Sequence, residues 1–472
     1  MKQINNMSIR FKLLLTIILA VPASVLMSQT ISSAYFLDGS FDRHRMNPAL
    51  TPERGYLSLP VVGGMNFDLQ GNVGLSNFLY ESKTDPGMLT TFMSSEISRQ
   101  QFLNTLPDIT SFRVGMNLDI LSLGIRAFGG YTTLGISLSN RESVNIPKEM
   151  FAFMKAGLSD GNYLINNLNV NTMSYLEGAI GHSHPITENL TIGLKFKYLV
   201  GVAYADVNID QMKAKISENG WVVNANATMQ AAAPGIVITE DSETGYVDGV
   251  EAEFSEEVIY EGLKSTGFAI DLGAYYDMSD LVSGLTLSAS VTDIGSIKWK
   301  GVVTAETDNK DIVFDGFNDY DIMGGSEDDT FEKLGEDFSD MLNMYQKPAK
   351  DKKVNLGATF RLGAEYELPF AQWISVGELF TYRAGIYKYT ESRTALVLSP
   401  TKWFELSGNV AFTSTYGTTL GFMLNFHPAL LNIFVATDGI KATLNPQFIP
   451  TESFGTNLLV GVKFPVGARI NR

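Results

Sequence analysis

The residues able to do chemistry are few in kind. The chain has 472 residues and no cysteine, which removes thiolate nucleophiles and thiolate metal sites. Its four histidines are His44, His182, His184 and His427. His182 and His184 sit two apart on one strand face, so with a carboxylate they could hold a divalent cation. Two such ligands are too few for a closed zinc site, and Pro185, directly after them, reads as the end of a strand. The acidic run from Asp315 to Asp329 could collect calcium, but it lacks the Asp-x-Asp-x-Asp-Gly loop with Glu at position twelve and reads as a solvated loop. Neither a phosphate-binding Gly-x-x-x-x-Gly-Lys nor a His-Glu-x-x-His occurs. Carboxylates are plentiful, but their abundance in acidic loops carries no geometry. No catalytic residue, metal or cofactor is expected, and the chain does not read as an enzyme.

Charges of another kind alternate with apolar residues along strands. Lys195 and Lys197 share one face, Arg361, Glu365 and Glu367 share the face of a second strand, and Asp271 stands on a third. These are the inward set of a barrel. They form either a ladder that guides or excludes solutes, or pairs that plug and stabilise the interior. Pairing is the plainer reading, because an unpaired charge in a narrow interior is costly.

The elements that carry these charges are long. From Leu190 to Tyr204 every even position is apolar or aromatic, and the odd positions are small or charged except Leu199. The same alternation runs from Val354 to Leu368. Such lengths exceed the roughly five to six residues usual in soluble domains and satisfy the roughly nine to eleven a tilted strand needs to cross a bilayer. Other alternating segments include Tyr56 to Asn72, Phe268 to Met278, Phe404 to Phe412 and Leu458 to Phe464. Together they predict an all-β, transmembrane antiparallel β-barrel of about 14 strands. A soluble secreted β-sandwich is the rival, since period two alone does not separate the two. Gly129-Gly130 and Asn219-Gly220 read as hairpin turns, and a phase change near Asp119 and Ile120 reads as a bulge.

The net charge of -16 excludes nucleic acid as a partner, because phosphate binding needs a basic face. Residues 1–28 place Lys2, Arg10 and Lys12 ahead of an apolar run from Leu13 to Val21, followed by Pro22 and small residues. That is the pattern of an export signal, and its run of roughly nine residues is short of the roughly 20 that a spanning helix needs. Residues 29–54 precede the first strand, and residues 55–472 form the barrel, with acidic insertions near 234–265 and 303–350. Thr239 to Glu261 holds nine acidic residues and no basic one, so much of the net charge lies in these connections. Helices are expected after Asp85, from Pro147 to Leu158, and after Ser326, where Phe331, Leu334, Phe338, Met341, Leu342 and Tyr345 would share a face and cover the barrel mouth.

Arg45-Met46-Asn47-Pro48-Ala49-Leu50 resembles the Asn-Pro-Ala element near the mature N-terminus of FadL-type outer-membrane proteins. The chain also resembles a large uncharacterised Bacteroidota family of exported barrels, through Leu121-Ser122-Leu123-Gly124, the Tyr131 to Asn140 strand, and Ile146-Pro147-Lys148-Glu149-Met150-Phe151 running to Gly161-Asn162. PorV-type barrels, carriers for the type IX secretion system, are more distantly similar. The FadL resemblance implies an N-terminal hatch that fills the barrel and holds Asn47, Pro48 and Ala49, and a lumen that opens sideways into the bilayer. The resemblance departs at the end, where the last residue is Arg472 and the terminal aromatic of the closing strand would be Phe464.

The resulting expectation is a cell outer-membrane barrel, in contact with outer-membrane lipid, for passive passage of a small hydrophobic compound through a plugged lumen. The alternative is a non-transporting scaffold or secretion-system accessory that binds surface proteins. An apolar pocket beside the plug would favour transport. A filled lumen with an exposed apolar patch on the loops would favour the scaffold.

Overall fold

The computed structural model describes residues 31–60, 63–85, 87–156, 161–217, 220–252, 263–314, 342–440 and 455–467. The export signal, the turn at Asn219 and most of the expected helix after Ser326 lie outside the described residues. The first strands are β1 (Gly55–Ser58), β2 (Met65–Gly71), β3 (Leu79–Glu81), β4 (Leu89–Thr91), β5 (Ile109–Ala127), β6 (Gly130–Pro147), β7 (Gly161–Pro185) and β8 (Leu190–Ser217). Next come β9 (Gly220–Ala232), β10 (Ile236–Glu240), β11 (Val247–Ala252), β12 (Thr266–Asp277), β13 (Leu285–Thr307), β14 (Ile312–Phe314) and β15 (Met344–Asn355). The last are β16 (Thr359–Leu368), β17 (Ala371–Arg383), β18 (Tyr389–Thr401), β19 (Phe404–Thr413), β20 (Gly417–Phe426), β21 (Asn432–Ile440) and β22 (Gly455–Val466). β1 and β2 share the same two neighbours and act as one wall strand. With β5 to β8, β12, β13 and β16 to β22 they close a 14-strand antiparallel barrel. The ring shuts where β22 pairs with both, Ser58 opposite Lys463 and Met65 opposite Val460.

The alternation sorts side chains between two environments. On β8, Leu194, Phe196 and Tyr198 are exposed while Lys195 and Lys197 are buried. The exposed set continues around the wall as an apolar belt that includes Leu134, Ile180, Phe268, Leu362, Phe380 and Val460. Near the short turns it ends in aromatic residues such as Tyr276, Trp373 and Trp403, the girdle of a bilayer-crossing barrel. Among the described residues no helix is long and apolar enough to cross a membrane.

Local chemistry sets where the wall bends. β5 runs unbroken through a register shift between Asp119 and Leu121, the expected bulge. The turn expected at Gly129-Gly130 is one residue earlier: Phe128 and Gly129 both take positive φ, 57° and 76°, giving the primed two-residue turn that matches strand twist. The alternation from Val354 to Leu368 is not one strand, because Gly357 at φ 83° breaks the ladder between β15 and β16. Nor is the segment from Tyr56 to Asn72 continuous, since it is interrupted between Ser58 and Met65. The helix expected after Asp85 is replaced by the β3–β4 hairpin and a short helix, Arg99–Leu103, whose Ser98 Oγ accepts from the Gln101 amide. Phe78, Phe92, Phe102 and Phe151 pack together there, and this tertiary contact overrides the local signal. A helix does follow Pro147, over Lys148–Ala156, whereas Tyr345 belongs to β15.

One side of the wall is much taller than the other. β7 and β8 have 25 and 28 residues, against 10 in β19 and β20, so beyond the belt they continue as an extension in which β9 takes over from β12 beside β8. β6 pairs with β7 without irregularity from Tyr131 to Asn145, so Val144 stands on the same face as the exposed Leu134 and Ile136. Val144, Val170, Val207, Met229 and Ala305 form a row in register across β6, β7, β8, β9 and β13. Here the face is buried, under Phe153 of the 148–156 helix and Ile238, Val247 and Val250 of the β10–β11 hairpin. Outside the bilayer an apolar row meets water unless protein covers it, so the covering layer starts where the lipid-facing belt stops.

Candidate functional site

Residues 31–54 run inside the barrel. Ile31, Tyr35, Leu37, Met46 and Leu50 are buried against the wall residues Leu379, Met423 and Phe434. The wall makes room with glycine. A Cβ added at Gly273 would lie 2.8 Å from Pro48 Cδ, and one at Gly377 2.6 Å from the Phe36 ring; at Gly193 it would collide with the Pro48–Ala49 backbone. Asn47 is pinned on both ends of its amide. Its Oδ1 accepts from the Ala49 amide at 3.0 Å, and its Nδ2 donates to the carbonyls of Ala274 and Ala289 at 3.2 Å each. Asn47, Pro48 and Ala49 thus sit directly on the inner faces of β8, β12 and β13.

Ion pairs tie this hatch to distant strands. Asp42 accepts from Lys463 at 2.5 Å and meets Arg45 at 3.2 Å, while Asp119 receives both Arg45 and Lys463. Burial alone would raise the Asp42 pKa, yet Lys463 and Arg45 hold it below the usual carboxylate range. The buried His44, whose Nε2 is 2.6 Å from the Tyr56 hydroxyl, is pushed well below the usual histidine value by burial and by Lys195, Arg45 and Lys463. The Gly39 amide donates to Glu405, and Ser33 bonds Asp438, which also binds Arg393 at 3.0 Å.

A second charged cluster lies further from the hatch. Lys197 contacts Asp293 at 2.7 Å, Asp271 at 3.0 Å and Glu177 at 3.7 Å, and Asp293 also takes Arg141 at 3.1 Å. Lys195 instead donates to the His44 carbonyl at 3.1 Å, and Arg361 to the Met46 carbonyl at 3.4 Å and Thr292 Oγ1 at 3.1 Å. The structure therefore brings Lys195, Lys197, Asp271 and Arg361 together inside the wall. Glu365 is half-buried and accepts from Ser375 Oγ at 2.6 Å, whereas Glu367 is exposed at the turn rim and makes no ion pair among the described residues. Period two alone placed both glutamates on the inner face, but the last residues of β16 have already reached the end of the lumen.

The sequence patterning does not single out Asp42, Asp293, Arg141 or Lys463, and it marks Asp119 only as the place of a bulge. Lys463 and Arg141 had a signal, being charged residues at inward positions of alternating strands. Asp293 had none, because it occupies a left-handed bulge at φ 61°. Replacing Arg361 with Ala should lower stability by about 1.5–3 kcal/mol, the worth of charge-assisted hydrogen bonds, and change solute flux less. Urea midpoints and bilayer conductance check this ordering, and a normal midpoint with altered flux would reverse it.

Between the two clusters is a cavity of about 120 Å³. Its lining is mostly polar, with His44, Asn66, Asp119, Ser137, Lys197 and Arg361 among the residues. Away from the hatch, Tyr175, Leu199, Tyr204, Ile297, Trp299 and Tyr387 fill the lumen with apolar and aromatic groups. The cavity also borders Gly64, at the interruption between β1 and β2. There Ser58 pairs with Lys463 and Met65 with Val460, so only Gly461 and Val462 of β22 lie between the two paired stretches, beside the β5 bulge. Leu59 is exposed, and the neighbouring Leu121, Leu458, Val460 and Phe464 belong to the apolar belt.

A closed barrel with an inserted N-terminal hatch, a charged lumen and an interrupted wall strand defines a membrane-barrel architecture. The chain belongs to DUF5723, a family of unknown function whose model matches residues 48–438. No curated protein matches it in sequence. Among solved structures it is similar to a Pseudomonas aeruginosa FadL homologue, with 11% identity, a TM-score of 0.44, and 94% of this chain and 100% of that one covered. It is also similar to the Pseudomonas putida toluene transporter TodX (10%, 0.41, 93% and 94%) and to the translocator domain of the Neisseria meningitidis autotransporter NalP (7%, 0.34, 88% and 88%).

Proposed function

We propose that this protein is an outer-membrane barrel through which a small hydrophobic compound passes between the lumen and the bilayer by way of the break in strand pairing between Ser58 and Met65. The observation that carries the reading is the position of that interruption. It lies within the apolar belt, it borders the internal cavity at Gly64, and Asp119 behind it is bound by Arg45 of the hatch. A shift of the hatch would release Arg45 from Asp119 and enlarge the space behind the broken strand. The cavity of about 120 Å³ holds only a few waters, so passage requires that shift.

Deleting residues 60–63 tests the route. Two residues, Leu59 and Gly64, would then lie opposite Gly461 and Val462, and the inward positions of Ser58, Gly64 and Asn66 would keep their phase in a continuous strand. The variant should retain heat-modifiable gel mobility but lose uptake of a hydrophobic probe such as toluene. Unchanged uptake by the folded variant would rule the route out.

The scaffold reading is favoured by a different observation. The lumen is largely filled, and Leu75, Met88, Leu89 and Met93 are exposed on and beside the β3–β4 hairpin. Its signature would be a protein whose partner binding is lost on changing those residues while no variant of the wall affects uptake.

A further inference from the structure

The charge of this chain is strongly negative, yet one outward patch of the wall is basic. Lys298 and Lys300 of β13 are exposed, with 58% and 46% of their side-chain surface free, and Lys353 of β15 stands directly opposite Lys298. Like charges placed opposite each other on neighbouring strands are destabilising unless an anion lies between them. Asp351 supplies one carboxylate, bonded to Lys300 at 2.6 Å and Lys298 at 3.1 Å, and Lys353 has no carboxylate partner among the described residues.

The place of this patch identifies what would complete it. Thr266 pairs with Lys298, and two residues along β12 Phe268 is exposed and packs on Tyr198, with ring centroids 5.4 Å apart. The lysines therefore stand one step past an aromatic pair at the edge of the apolar belt, on its outward face, at the level where a lipid headgroup begins. We infer that Lys298, Lys300 and Lys353 form a binding site for the anionic phosphate headgroup of a lipid whose chains lie along Phe268 and Tyr198. This rests on the reading of the belt as bilayer-facing.

The test uses the full-length protein in nanodiscs made from an equimolar mixture of phosphatidylglycerol and phosphatidylcholine. The lipids retained on its release into detergent are counted by native mass spectrometry. The wild type should retain phosphatidylglycerol over phosphatidylcholine. A Lys298→Gln, Lys300→Gln, Lys353→Gln variant should bind it on the order of 100-fold more weakly, since each lysine at a membrane surface contributes roughly fivefold. A control with Lys213→Gln and Lys215→Gln, exposed on the extension, should retain wild-type preference. Equal retention by the triple variant, or equal loss in the control, would overturn the site. Displacement of the lipid preference by millimolar inorganic phosphate would also overturn it, by showing that free anion suffices. Failure of the bilayer reading itself is separable, because the protein would then stay soluble without detergent.

Discussion

Valine at Gly193 and Gly273 together should unseat residues 31–54 without dissolving the wall. Both glycines lie on the inner faces of central wall strands, where a Cβ would occupy the space now held by Asn47, Pro48 and Ala49. A β-branched residue suits a strand, so the wall itself loses little. The hatch has no such tolerance. Asn47 makes its two bonds to Ala274 and Ala289 only when Pro48 lies flat against β8 and β12, and displacing it also draws Arg45 and Asp42 away from Asp119 and Lys463. The double variant should keep its heat-modifiable gel mobility while residues 31–54 become sensitive to protease in the folded barrel, and the aromatic cluster around Trp299 should keep axial conductance low. A protected hatch in the folded double variant would show that the glycines do not seat it.

The second large effect is expected at Lys197. Its amine is the shared cation of Asp271, Asp293 and Glu177, and its side chain is 7% exposed while that of Asp271 is fully buried. Lys197→Met should cost about 3–5 kcal/mol, because removing one member of a buried ion pair leaves the other uncompensated. A second change, Asp271→Asn, should recover much of that loss by removing a stranded charge, a coupling that independent sites would not show. Urea unfolding in detergent micelles measures both. Additive losses would indicate that Lys197 acts through packing alone.

The wall was legible in the sequence because its determinant is local. Alternation from Leu190 to Val200 separates the exposed Leu194, Phe196 and Tyr198 from the buried Lys195 and Lys197, and it lapses at the register shift near Val202, which turns Tyr204 toward the lumen. It could not announce where the outward face stops meeting lipid, since Val144 and Val207 look no different in sequence from Leu134 and Leu194; only the helix and hairpin packed over them make the distinction. The interruption between Ser58 and Met65 was readable in part. Pro60 and the Gly63-Gly64 pair are poor residues for a wall strand, yet the apolar residues around them carried the period across the gap. Least legible were the partners of the hatch. Asp42 meets Lys463, 421 positions away, and nothing in the local pattern of either residue encodes that pairing.

The seam between β22 and the β1–β2 pair is also where the two ends of the wall are joined. The hatch is continuous with β1, and β1 is held in the ring only by β5 and by β22 near the other end of the chain. Neighbouring hairpins can form from nearby residues, but the pairing of β1 with β22, from Ser58 opposite Lys463 to Gly55 opposite Val466, closes a loop of about 400 residues and is the entropically most expensive in the wall. The contact of Asp42 with Lys463 lies on the lumen side of that seam and ties β22 to the segment that leads into β1. The segment that blocks the finished lumen is therefore also a clasp across the joint where the barrel closes.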